Sequence, residues 1–208
     1  MKLSSLLFAG LLFLLPVAAS AQEVAPDVLV KNVTNEVLEL VRNDKEIQSG
    51  NTRKTIDLVE ARVLPHFDFT HMTRLAMARD WAKATPAQQK ALTDEFRTLL
   101  VRTYSKALNE YKTQTIEFKP LKSKPGDTDV KVRTQVSQSG TKPITLDYYL
   151  DKPSSAWKVY DIEVGGISLI TNYRDEFTNE VKKGGIDGLI KALQAKNSGA
   201  NKSGAEKK

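Results

Sequence analysis

Cysteine is absent from the 208 residues, histidine occurs only twice, and beyond residue 21 no apolar run approaches the roughly 20 residues of a membrane span. Without cysteine the chain must be held by its core alone, and thiol nucleophiles and thiolate metal sites are excluded. No G-x-S-x-G elbow is present either: "GGIS" places Ser168 after two glycines, where it reads as a helix N-cap. Basic residues form no dense stripe interleaved with aromatics, so nucleic acid is not an expected partner. His66 and His71 flank Asp68 in "HFDFTH". A metal could be imagined on these three, but the spacing matches no established ligand pattern, and Asp68 or Thr70 as a helix N-cap explains the stretch without one.

What is present begins with an export signal. Lys2 precedes an apolar run over 6–15, and Ala19-Ser20-Ala21 supplies the small-x-small pattern of a cleavage site. Residues 1–21 are therefore expected to be removed, with cleavage before Gln22. Loss of Lys2 takes the net charge from +6 to +5. Part of that excess lies in 196–208, where lysines sit among Asn, Ser, Gly and Ala, the composition of a disordered basic tail. Residues 22–195 remain as one domain.

Helical spacing dominates the first half of that domain. Val30, Val33, Val37, Leu38 and Val41 mark one helix, 53–63 a second ended by Pro65, and 70–81 a third. The fourth has the clearest start: Thr85 at N-cap, Pro86 at N1 and Gln88 at N3. It is expected to run to about Tyr111, with an apolar stripe broad enough to require burial on more than one side. Alternation takes over afterwards, at Ile116 and Phe118, at 130–136, at 144–150 and at 160–164, separated by "KPGDTD", "QSGTKP" and "DKPSSA". Four strands with short turns predict an antiparallel meander, and helices before and after it predict an α+β domain. Gly165 and Gly166 are expected to fold a final amphipathic helix, carrying Ile170, Tyr173, Phe177 and Val181, back across the sheet.

The inner sheet face, the broad fourth helix and the stripe after the glycines offer three apolar surfaces to one space. Periodicity cannot distinguish a filled core from a lined cavity. A second alternative is a pocket enzyme using carboxylates and tyrosines on adjacent strands, namely Asp147, Tyr148, Tyr149, Tyr160 and Asp161. Against it, alternation points Asp147 and Asp161 to the wet face while Tyr148 and Tyr160 point inward.

The stretches "VLPHFDFTHMTRLAMARDWAKATPAQQKALTDEFRTLLVRTYSKAL" and "WKVYDIEVGGISLITNYRDEFTNEVKKGGIDGLIKAL" together resemble the toluene-tolerance family, the periplasmic phospholipid-binding proteins of the Mla pathway. The resemblance covers about 28–193 and includes Asp68-Phe69, Trp81 with Thr85-Pro86, 157–161, Tyr173-Arg174 and Gly184-Gly185. Ala78 departs from it, since family members commonly carry glycine there. The resemblance implies an NTF2-like curved antiparallel sheet of about four strands, wrapped by N-terminal helices and a C-terminal helix pair around a deep apolar cavity. It also implies a periplasmic monomer that shuttles phospholipid between an outer-membrane lipoprotein and porin complex and an inner-membrane ABC transporter with an MCE-domain subunit, maintaining outer-membrane lipid asymmetry. Such a carrier is not an enzyme: phospholipid is cargo, and no cofactor, metal or catalytic residue is expected. The expected lipid-binding residues are Phe96, Leu99, Leu100, Thr103 and Leu108 on the fourth helix, Tyr148, Tyr160, Ile162 and Val164 on the sheet, and Leu169, Tyr173 and Phe177 on the last wall. No cluster of basic residues marks a phosphate clamp, so head-group preference is expected to be weak, with Arg97, Arg102 and Arg174 available at the mouth or for partner proteins.

Overall fold

The computed structural model describes residues 24–111 and 113–205, so the expected signal peptide and its cleavage site lie outside the described residues. Helix α1 (Pro26–Asn43) opens on a proline, whose fixed φ suits a first turn that has no use for its missing N–H. Asp44 follows it and caps α2 (Lys45–Gln48), its carboxylate accepting from the N–H groups of Glu46 and Ile47. Asn51 caps α3 (Thr52–Arg62) in the same way. Asp68 caps α4 (Phe69–Met77), its Oδ1 accepting from the His71 backbone N–H at 2.8 Å. The capping box at Thr85 and Gln88 starts α5 (Pro86–Tyr104) as the spacing predicts.

Two helices end earlier than expected. The third stops at Met77 and becomes a 3-10 turn over Ala78–Lys83. Its hinge is Ala78, at φ 48° and ψ −124°, the one positive-φ residue other than glycine among the described residues. The fourth does not reach Tyr111 unbroken: Ser105 donates its hydroxyl to the Val101 carbonyl at 2.5 Å, and a separate short helix α6 (Lys106–Asn109) follows.

The sheet is an antiparallel meander in the order β1 (Thr115–Phe118), β2 (Asp129–Ser137), β3 (Ile144–Asp151), β4 (Lys158–Val164), β5 (Ile167–Ser168). It has five strands rather than the four expected, and the fifth comes from the glycine pair. Gly165 and Gly166 both take positive φ, 59° and 89°, which makes a two-residue hairpin between β4 and β5 instead of a direct strand-to-helix corner. Asp161 then fixes the exit into α7 (Leu169–Ala205): its Oδ2 accepts from the Ser168 hydroxyl at 2.5 Å and its Oδ1 from the Ile170 N–H at 3.3 Å. Gly185, at φ 67°, interrupts α7, so the C-terminal element is a pair of helical segments. The helix continues past the expected start of a disordered tail. Asn197 is buried, and its side-chain amide donates to the carbonyl and carboxylate of Glu95 on α5.

Three apolar clusters hold these parts. Helices α4, α5 and α7 pack around Leu92, Phe96, Phe177 and Leu189. The sheet packs on the start of α1 through Val30, Val132, Leu150, Trp157 and Val159. The end of α1 packs on α2 through Val37, Val41 and Ile47, with Leu58 of α3 against them.

Two changes test the backbone reading. At Ala78 a glycine removes the Cβ that makes this conformation costly, so Ala78→Gly is expected to stabilise the fold by about 1 kcal/mol, read as a higher melting temperature. Open space surrounds the position a Cβ would occupy at Gly165, so a side chain there is penalised through φ rather than by collision. The pair Gly165→Val and Gly166→Val should therefore cost about 2 kcal/mol or more, whereas Gly165→Asn, which tolerates the left-handed region, should be nearly neutral. Equal stability of the valine pair and the parent would overturn the hairpin argument.

Candidate functional site

Where the three clusters meet, the helices do not close onto the sheet. A cavity of about 420 Å³ remains, walled by α1, α3, α5, α6 and the inner sheet face. Each cluster contributes to it: Met72 and Leu100 from the helical cluster, Val30 and Val159 from the sheet cluster, Val37 from the α1 cluster. Aliphatic and aromatic side chains make nearly all of the lining, and among the described residues no carboxylate, ammonium or guanidinium lines it. Polar residues are few among the described lining: Thr34, Tyr104, Ser105, Tyr111, Tyr148 and His66.

Exposed lining residues mark an opening in the wall. The inner residues Val30, Val37, Met72 and Val159 are buried, whereas Tyr104 and Ala107 are exposed and Ile116, Val136 and Leu146 half-buried. The mouth therefore lies between the α5–α6 junction and the end of the sheet where β1 and β3 begin. Ile144, Val164 and Ile167 continue that rim as exposed aliphatics. Deep burial pushes the Tyr148 hydroxyl up to about 12, with a bond to Thr34 partly offsetting it, so this phenol is neutral at physiological pH. Burial likewise pushes His66 below the usual histidine value, with Lys158 nearby acting in the same direction.

Of the residues expected to bind lipid, Leu100, Leu108, Tyr148, Ile162 and Leu169 line the cavity. Phe96, Leu99, Tyr173 and Phe177 lie instead in the helical cluster, where Phe96 meets Tyr173 and Phe177 edge-on at 5.0 and 4.9 Å. The reason is that α5 has two apolar faces, and the one carrying Phe96 packs on α7 rather than on the sheet. Thr103 is exposed and its side chain bonds Tyr173, and Val164 lies beyond the mouth, 38% exposed.

Tyr160 is displaced by a β-bulge. Tyr149 pairs with Asp161 but Leu150 pairs with Val159, which leaves Tyr160 as the extra residue on β4. The bulge reverses the alternation, turning Val159 inward and Tyr160 outward. There Tyr160 stacks on His71 at 4.5 Å and donates to the Asp129 carboxylate at 3.0 Å. Val159 also holds Phe67 beside the sheet, its carbonyl accepting from the Asp68 N–H at 2.9 Å.

The acids expected on a wet face are nearly buried there. Asp147 meets Lys131 at 2.9 Å, and Lys131 also reaches Glu163 at 3.2 Å. Tyr149 donates to Glu163 at 2.5 Å, and that bond, with Lys131, holds the Glu163 carboxyl below its usual value. Burial pushes Asp161 up, against the bonds from Ser168, Ile170 and Ile162. The histidines separate: His66 lines the cavity, while His71 Nδ1 pairs with Asp151 Oδ2 at 2.8 Å, close to Asp68. Arg174 donates to the Leu75 carbonyl at 3.1 Å, Arg102 to that of Asn197, and Arg97 faces Glu60 at 3.7 Å, so all three join elements of the fold.

Sequence reasoning missed the α1 and α3 walls. Val30, Val33, Val37, Val59 and Val63 showed a helical apolar face, but nothing in their spacing told cavity from core.

Known proteins resemble this chain in sequence and in fold. Over 187 residues, 88% of this chain and 86% of the relative, the sequence is 29% identical to toluene tolerance protein Ttg2D of Pseudomonas putida. Over 177 residues, 83% of this chain and 82% of the relative, it is 26% identical to the intermembrane phospholipid transport system binding protein MlaC of Haemophilus influenzae. The structure superposes with a TM-score of 0.80 on a phospholipid-binding protein of Ralstonia solanacearum solved in complex with a phospholipid, at 37% identity, covering 86% of this chain and 99% of that one. The family model of the MlaC protein matches residues 31–195, well over half the length, and the chain belongs to that family.

Proposed function

We propose that this protein is a periplasmic phospholipid carrier whose cavity receives acyl chains while the head group stays at the mouth. The observation that carries the reading is the cavity itself, about 420 Å³ with an apolar wall that carries no charged side chain among the described residues. Its size falls within the roughly 300–1,000 Å³ of small-molecule sites. Support comes from the phospholipid named for the Ralstonia solanacearum structure and from the transport system named for the Haemophilus influenzae relative. The described helices include none long and apolar enough to cross a membrane. The lipid-contacting set is Leu100, Leu108, Tyr148, Ile162 and Leu169 together with the α1 valines. The NTF2-like comparison, the monomeric state, the export signal and exchange with an outer-membrane lipoprotein and porin complex and an inner-membrane ABC transporter with an MCE-domain subunit belong to the same proposal.

Free energy limits what such a carrier does by itself. Each buried methylene contributes about 0.8 kcal/mol, so two acyl chains exposed to water would cost on the order of 20 kcal/mol or more. A bilayer and an apolar cavity offer similar relief from that cost. Net direction is therefore set by the membrane partners, and the carrier needs no nucleotide.

The competing pocket enzyme needs a proton donor or acceptor inside. Among the described residues no carboxylate lines the cavity, which leaves the His66 imidazole and the tyrosine phenols as the groups able to exchange a proton there. Solvent extraction and mass spectrometry of protein gently purified from the periplasm should recover phospholipid; recovery of none would sink the carrier reading. Tyr148→Phe should leave the lipid-to-protein ratio within about twofold of the parent, because the hydroxyl contributes no more than one neutral hydrogen bond. Leu108→Trp, which fills space near the mouth, should lower that ratio severalfold. The opposite ranking would favour chemistry at the phenol over tail burial.

A further inference from the structure

A second recess, of about 480 Å³, adjoins the cavity and has the opposite character. It is bounded by Asn35, Glu39, Arg42 and Asn43 of α1 and by Thr115, and it shares Leu38, Tyr111 and Ile116 with the apolar cavity. Ile116 also belongs to the mouth. A ligand leaving the apolar space past these shared residues thus meets one guanidinium, one carboxylate and two amides.

The two charges are placed as separate partners. Glu39 and Arg42 stand three apart on one helix, the spacing at which such side chains ordinarily pair. Among the described residues they make no ion pair with each other. Arg42 instead donates from Nη2 to the Tyr111 hydroxyl at 2.8 Å and lies over that ring, 5.2 Å from its centre. Tyr111 is itself fixed, only 8% exposed and donating to the Gln114 carbonyl at 2.7 Å. One buried tyrosine therefore walls the apolar space on one side and holds the arginine on the other. A basic residue in the last turn of α1 is favourable for the helix in any case, but that role does not require the guanidinium to turn onto Tyr111.

We propose that this recess seats the zwitterionic head group of the cargo, with Arg42 on the phosphodiester and Glu39 on the amine. The inference rests on the carrier reading and deepens it, naming phosphatidylethanolamine-like lipids as the favoured class. Both charged side chains are solvent-exposed, so the seat orients the head group and adds modest selectivity to an affinity dominated by the tails.

The test uses delipidated protein reloaded from vesicles with phosphatidylethanolamine, phosphatidylglycerol or diacylglycerol of identical chains, with retention read by mass spectrometry. Arg42→Gln should reduce retention of both phospholipids about three- to tenfold and leave diacylglycerol unchanged. Arg42→Lys should recover part of the loss, which separates charge from damage to the Tyr111 contact. Glu39→Gln should shift the balance from phosphatidylethanolamine towards phosphatidylglycerol. Equal loss of all three lipids in Arg42→Gln, or loss of none, would overturn the seat while leaving the carrier reading intact. Failure of the parent to retain any lipid would overturn both. Inorganic phosphate and glycerophosphoethanolamine distinguish the sources of the anion: weak binding of each to delipidated protein supports a lipid head group, and saturation by phosphate at low concentration makes the recess a free-anion site and overturns it.

Discussion

Apolar walls facing one another across about 420 Å³ attract, because closing the gap removes both from water. At roughly 24 cal/mol per Å³, a sealed void of this size would cost on the order of 10 kcal/mol, comparable to the whole net stability of a typical domain. Two things make the space tolerable. It opens at the mouth, where water or a ligand enters, and its walls are each anchored elsewhere. The α4–α5–α7 cluster, the sheet on α1 and the α1–α2 contact are packed independently of the cavity, and each extends only its margin into the lining. Collapse would require one of these clusters to come apart.

The anchoring devices are polar and local. Asp161 ties β4 to the start of α7 through Ser168 and Ile170, which sets where the last helix leaves the sheet. Arg174 then binds the Leu75 carbonyl, fixing α7 against α4, and Asn197 binds Glu95, fixing the far end of α7 against α5. With both ends of this helix tied to other helices, Phe177 and Leu189 close the helical cluster on itself rather than on the sheet. The space between stays open.

Local signals wrote the element pattern plainly. The capping box at Thr85, the alternation in the strands and the glycine pair all lie within a few residues of what they specify. The cavity was legible only as three apolar surfaces of unknown occupancy, because periodicity reports which side of an element is dry and not what faces it. The two largest errors have different causes. A single extra residue at Tyr160 reversed the alternation over half of β4, so Val159 and Tyr160 exchanged sides. On α5, two apolar faces made Phe96 and Leu100 equivalent in sequence, and only the docking of α7 separated core from lining. Ala78 was legible differently: it stood out as a non-glycine where family members carry glycine, and the backbone there is one that favours glycine.

Function in this architecture follows from separating tasks that an enzyme would combine. Among the described residues, charged side chains stay out of the cavity lining and gather outside it, in the Lys131 cluster on the outer sheet face and at Glu39 and Arg42 beside the mouth. A charge inside would have to be desolvated each time a tail entered, raising the barrier to loading without improving the bound state. Neutral hydroxyls such as Tyr148 impose little of this penalty, since Thr34 accompanies it in the wall. The result is a container whose interior is nearly equivalent to the interior of a bilayer. Equivalence of that kind gives a shuttle that can be loaded and emptied, because neither state is so favoured that the other becomes inaccessible.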